Sequence, residues 1–159
     1  MRTAYARAAD LGGLLRKAAE LGAKTIVIDI EPLVAYWDNG QGALDEGVAR
    51  VLAAAVAVPG VAVVCFSTNS ARRPAVVPSY PGVRVVYLSS ARKPLVTAPY
   101  AGFPRPGVVI GDQIATDGLL ARRLGYAFLQ YVPSAAAPLG PRLLGYGGKA
   151  VRPLLFTRR

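Results

Sequence analysis

The sequence predicts an α/β fold in three layers, a parallel sheet of five strands between helices on both faces. Three observations predict it. Thr25–Ile28, Val61–Phe66 and Val108–Ile110 are short apolar runs without alternation, the pattern of strands buried on both faces. Segments with apolar residues at helical spacing separate such runs, as in parallel sheets whose crossovers are helices. At 159 residues the chain has the length of a single domain able to bury a substantial core.

The elements follow in order. Leu11, Leu14, Leu15, Ala18 and Leu21 recur at helical spacing behind Asp10, a good N-cap, and Gly22 is a good stop. The first strand, Thr25–Ile28, runs into Asp29. Leu44, Val48, Val51, Leu52 and Ala55 mark a second helix, with Asp45 and Glu46 expected in its first turn, where the helix dipole favours acids. Pro59-Gly60 ends it, and Val61–Phe66 is a strand running into Ser67. Arg72-Arg73-Pro74 opens an irregular stretch. Val83–Leu88 is the third strand. Ala91–Phe103 has room for only a short helix, because Pro94 and Pro99 limit it. Pro104–Gly107 is a turn, and Val108–Ile110 is a strand running into Gly111-Asp112. Thr116 is the expected cap of a helix through Leu119, Leu120 and Leu124, stopped by Gly125. Ala127–Val132 is the fifth strand. The core is thus expected over about residues 10–132, followed by a basic, Pro/Gly-rich tail over 133–159. Leu143-Leu144 and Leu154–Phe156 suggest that this tail packs on the domain in part.

Composition narrows the chemistry. With no histidine, the chain has no Ser-His-Asp or Cys-His catalysis and no histidine-held zinc. The single cysteine, Cys65, allows no internal disulfide, no CxxC pair and no Cys-rich zinc site; in an apolar strand it reads as a packing residue. The formal net charge is +10, and beyond Asp117 there are basic residues but no acid. Such an excess favours anionic partners: a phosphorylated small molecule, nucleic acid or an anionic membrane surface. An Arg- and Ala-rich coding bias gives the same composition. Val51–Phe66 is apolar but shorter than the roughly 20 residues of a spanning helix, and Pro59-Gly60 interrupts it. No apolar signal-peptide core follows Arg2 and Arg7, so a cytoplasmic location is expected. Met1–Ala9, basic and free of acids, leaves an organellar presequence open.

The nine acids are therefore the main source of acid–base chemistry. Asp29 ends the first strand and Glu31 follows two residues later. Asp112 follows the fourth strand, and Asp117 lies about a turn beyond. If those strands are neighbours, four carboxylates converge on one crevice at the carboxyl end of the sheet, where such folds place their sites. Clustered carboxylates repel one another unless a cation lies among them, and hard oxygen donors suit Mg²⁺. Ser67–Ser70 offers hydroxyls and an amide after the second strand, and Lys93-Pro94 offers a cation after the third.

The order of these groups resembles the haloacid-dehalogenase-like (HAD) superfamily, and within it subfamily IIIA, the YqeG and phosphatidylglycerophosphate-phosphatase group. The first motif of that group, D-x-D-x-T-L-V-x-W-D, is similar to Asp29-Ile30-Glu31-Pro32-Leu33-Val34-Ala35-Tyr36-Trp37-Asp38. The second resembles Phe66–Ser70 and the third Ala91-Arg92-Lys93-Pro94. The fourth, G-D-Q-x-x-T-D, matches Gly111–Asp117 at every fixed position. The resemblance implies a Rossmann-like HAD hydrolase without a large cap domain, cleaving a phosphate monoester with Mg²⁺. It implies that Asp29 is the nucleophile, that Glu31 transfers protons, and that Ser67 and Lys93 contact the phosphoryl oxygens. It implies Mg²⁺ on the Asp29 carboxylate, the Glu31 carbonyl and Asp112, with Asp117 bracing the site. A phospholipid headgroup such as phosphatidylglycerophosphate is the substrate class it suggests, with the basic tail near an anionic bilayer.

The chain departs from the pattern twice: Glu31 stands for its second Asp, and Leu33 for its Thr. An extra methylene moves a carboxyl by about 1 Å, a displacement that can cost on the order of 100-fold in rate. The alternative reading is therefore a HAD-like binding protein, associated with nucleic acid or the ribosome, that has lost turnover. Other motifs carry less. A response-regulator receiver needs an Asp after its third strand, where this chain has Leu88-Ser89-Ser90. Gly145–Ala150 lacks the Ser/Thr of a phosphate-binding loop and reads as a turn. Tyr36 and Trp37 read as packing residues near the pocket mouth. The tail lacks a recognised nucleic-acid module.

Overall fold

The computed structural model describes residues 3–36, 38–132 and 156–158. Trp37 and the tail over 133–155 lie outside these residues, and with them the expectations placed on Leu143-Leu144, Leu154-Leu155, Gly145–Ala150 and the basic residues Arg142, Lys149 and Arg152.

The strands are β1 (Thr3–Ala8), β2 (Thr25–Asp29), β3 (Val63–Ser67), β4 (Arg84–Leu88), β5 (Gly107–Gly111), β6 (Ala127–Tyr131) and β7 (Phe156–Arg158). The helices are α1 (Leu11–Glu20), α2 (Gln41–Val56) and α3 (Leu119–Leu124). Among the described residues one sheet holds seven strands in the order β4-β3-β2-β5-β6-β1-β7, with every neighbouring pair parallel. The five expected strands are its contiguous centre and one edge. The count is corrected from five to seven by β1 and β7. β1 is built from the basic stretch read above as presequence-like, and its Tyr5 side chain is buried against Phe128 and Phe156.

Alternation along the strands sorts the core into two layers. Ile26, Ile28, Val64, Phe66, Val108 and Ile110 face α1 and α2. Val27, Cys65, Val109 and Phe128 face α3 and the short 3-10 turn Ala98–Tyr100. Helices thus cover both faces, as parallel strands require. Asp10 caps α1 as expected, accepting from the Gly13 N–H at 2.7 Å. Two local expectations are corrected. α2 begins at Gln41, so Asp45 and Glu46 lie past its first turn, and Asp45 instead accepts from Gln41 Nε2 and the Val76 N–H. Thr116 caps nothing: it lies inside a π turn, Ile114–Gly118, that leads directly into α3.

The chain runs outward from β2 through β3 to β4, then returns to β5 on the other side of β2. Such a reversal opens a crevice at the carboxyl ends of the two adjacent strands. The described residues of the connections over 30–40 and 68–83 hold no regular helix or strand. No helix among the described residues is long and apolar enough to cross a membrane.

Candidate metal and phosphoryl site

β2 and β5 are direct neighbours, which brings Asp29 beside Gly111-Asp112. The strands are neighbours as the sequence reading required, but three of the four expected carboxylates converge, and Glu31 is not in the cluster. Carboxylate oxygens of Asp29, Asp112 and Asp117 all lie within 4.8 Å of one another.

Asp117 reaches this point through the π turn. Its N–H and that of Gly118 both donate to the Gln113 carbonyl, at 2.9 and 3.2 Å. The wider turn folds Asp117 back over the end of β5, and π turns of this kind recur at functional sites. Gly111 makes room for it: a Cβ built there would collide with the Asp117 carboxylate. The Gly of the Gly-Asp-Gln run is therefore a close-approach position.

Lys93 enters from the loop after β4. Its Nζ donates to Asp29 Oδ1 at 2.6 Å and to Asp117 Oδ1 at 2.8 Å. The Ser67 carbonyl lies at 3.4 Å from the same nitrogen. The backbone around Lys93 is clamped. Its N–H donates to Asn69 Oδ1 at 2.6 Å, and its carbonyl accepts from Asn69 Nδ2 at 3.0 Å. Arg123 donates to the next two carbonyls, Pro94 and Leu95. Ser90 and Arg92 hold positive φ, of 49° and 52°. For residues with a Cβ this backbone is strained, and the surrounding hydrogen bonds sustain it.

Burial governs the electrostatics. Asp29 is pushed well above the usual carboxylate range by desolvation, then by Asp117; Lys93 pulls it back in part. Asp112 is raised to about 7 by burial and by Asp117. Burial alone would lower Lys93, but the two carboxylates outweigh it and hold the ammonium charged above its ordinary range. With all groups ionised, three carboxylates against one ammonium leave a formal charge of −2. Asp112 Oδ1 is buried without a hydrogen-bond partner. An all-oxygen donor set, an unmatched buried oxygen and a −2 balance fit a hard divalent cation.

The remaining expected residues divide. Ser67 pairs with Asp29 in the sheet register, yet its hydroxyl is buried without a partner, and its carbonyl is what faces Lys93. Glu31 stands at the same strand end. Its Oε2 accepts from Thr68 Oγ1 at 2.7 Å, and Arg72 Nη1 lies 3.5 Å from its Oε1. The sequence offered Thr68 and Asn69 only as part of the polar run after the second strand, with no role for either, and gave Arg72 no part in the site. The hydroxyl–hydroxyl–amide run Ser67-Thr68-Asn69 was the available signal, and it did not say which hydroxyl turns towards Glu31. Cys65 is buried in β3 with its thiol raised to about 12 by desolvation, a packing residue as expected.

Comparison with protein-family models, curated proteins and solved structures gives no match.

Proposed function

We propose that this chain is a Mg²⁺-dependent phosphate-monoester hydrolase of the HAD type, with Asp29 as its nucleophile. The observation that carries the reading is the buried cluster of Asp29, Asp112 and Asp117 with Lys93 bridging two of them. Four motif positions from three separated stretches of the sequence meet there at the carboxyl ends of parallel strands.

The residues suit a two-step displacement. An Asp29 oxygen attacks phosphorus and the bond to the leaving oxygen breaks, giving an aspartyl-phosphate. The Glu31 carboxyl gives a proton to the leaving oxygen. Water then attacks the phosphorus and passes its proton to the Glu31 carboxylate. The bond to Asp29 breaks, and inorganic phosphate leaves. Lys93, fixed by its two ion pairs, holds Asp29 in place and supplies positive charge beside the transferring group. Asp29, Asp112 and the Glu31 carbonyl are the groups to hold Mg²⁺, with Asp117 bracing them; bound there, the ion supplies charge neutralisation. The substrate class is a phosphorylated small molecule or a phospholipid headgroup, and the irregular connections after β2 and β3 suit either.

One observation favours a second reading, a phosphoryl-binding protein without turnover: both Glu31 oxygens are engaged, by Thr68 and Arg72. Hydrolysis of p-nitrophenyl phosphate with and without Mg²⁺ separates the two. The first reading expects Mg²⁺-dependent turnover that Asp29→Asn abolishes while the fold stays intact. Turnover indifferent to that substitution refutes it. Mg²⁺ and beryllofluoride binding with no turnover establishes the second.

A further inference from the structure

Glu31 is longer than the Asp of the pattern it resembles, and a longer carboxylate needs more to fix it. The side chain has one more rotatable bond to immobilise. In this fold it is gripped at both oxygens. Thr68 Oγ1 donates to Oε2 at 2.7 Å, and the Arg72 guanidinium faces Oε1 at 3.5 Å. Arg72 is itself fixed by the loop that carries Glu31. Its Nη1 donates to the Tyr36 carbonyl and its Nη2 to the Asn39 carbonyl, each at 2.9 Å. Its own carbonyl accepts from Ser89 Oγ at 2.8 Å, tying it to the loop after β4. The side chains of Arg72 and Glu31 are 12% and 21% exposed, so this pair is shielded from water far more than a surface bridge.

We propose that Arg72 is a positioning residue for proton transfer by Glu31, with Thr68 holding the second oxygen. The inference rests on the hydrolase reading above. A planar guanidinium anchored to two carbonyls has no freedom to follow a wandering carboxylate, so it selects one placement of Glu31. The pair thereby accommodates the extra methylene that would otherwise misplace the proton donor.

Leaving groups test this. The ratio kcat/KM reports the steps through departure of the leaving group. p-Nitrophenolate leaves without a proton, whereas an alkoxide needs one. A misplaced Glu31 must therefore slow ethyl phosphate selectively, while a general structural defect slows both substrates alike. For Arg72→Gln we expect kcat/KM on ethyl phosphate to fall about 10-fold further than on p-nitrophenyl phosphate. Glu31→Gln is expected to show the same selectivity, and Arg72→Gln added to it no further selective loss. Arg72→Lys, which keeps the charge but not the fork, restores the ratio only in part and serves if Arg72→Gln does not fold. Equal losses on both substrates, no loss on either, or additive selectivity in the double variant overturns the inference while leaving the hydrolase reading standing. Absence of hydrolysis by the unaltered chain overturns both.

Discussion

The Lys93 ammonium lies 2.6 Å from the carboxylate of Asp29, across 64 residues of sequence. Asp117 takes a second bond from the same nitrogen, and the side chains of Lys93 and Asp117 are 2% and 0% exposed. Removing one partner from such an arrangement leaves buried charge uncompensated. Lys93→Met is therefore expected to destabilise the metal-free protein by about 3–5 kcal/mol. Because it raises the formal negative charge, Mg²⁺ is expected to recover part of that loss. Thermal unfolding in EDTA and in Mg²⁺ measures both, and a variant as stable as the parent in EDTA contradicts the ion-paired description.

Asp112 sets a dependence on pH. Its carboxyl is raised in the fold to about 7 from an ordinary value of 3.8, chiefly by burial. The folded state then binds more protons than the unfolded state between those values. Its contribution to stability is complete below the unfolded value and is lost as pH rises through about 7. The metal-free protein is expected to lose stability from this group over that interval, and Asp112→Asn to flatten the loss. Mg²⁺ affinity runs the other way, strengthening towards pH 8 as the proton leaves. Melting temperatures and calorimetric titrations at several pH values check the two trends; an unchanged slope in Asp112→Asn contradicts the assignment.

Gly111→Ala places a methyl group against the Asp117 carboxylate. Asp117 must shift, which breaks its bond to Lys93. A destabilisation of about 1–3 kcal/mol is expected, as for an overpacked core, together with weaker Mg²⁺ binding. Retained affinity for Mg²⁺ in a folded Gly111→Ala variant places the cation away from Asp117.

Cys65 is expected to resist thiol reagents. Buried in β3, with its thiol raised to about 12, it holds little thiolate at pH 8 and offers no access. Reaction with a disulfide reagent should be absent in native protein and complete in denaturant. Rapid native labelling contradicts the core packing described for β3.

Much of the fold was legible because its signals are local. Asp10 and Gly22 bracket α1, and runs such as Ile26–Ile28 have no polar face. The convergence of Asp29 and Asp112 was legible only as a condition, since adjacency of β2 and β5 is a property of the sheet order. β1 was missed because its six residues are mostly half-buried and include Arg7, so no apolar run announces it. The π turn replaced the expected Thr116 cap because Asp117 packs back over Gly111, a tertiary demand that overrides local capping. The clasp of Arg72 on Glu31 spans 41 residues and has no periodic signature. Arg72 looked like any solvated arginine in an irregular stretch.

The place of β1 bears on how the chain acquires its shape. Its partners are β6, where Tyr5 pairs with Phe128, and β7, where Thr3 pairs with Phe156. During synthesis β1 stays unpaired until β6, distant in sequence, has followed. Such distant pairings slow folding and leave strand edges exposed to aggregation in the interval. One side of the sheet, β2 with β3 and β4, pairs over much shorter separations and can assemble first. The carboxyl end of β2, which carries Asp29, is thus framed on one side early, and completed only when β5 docks on the other.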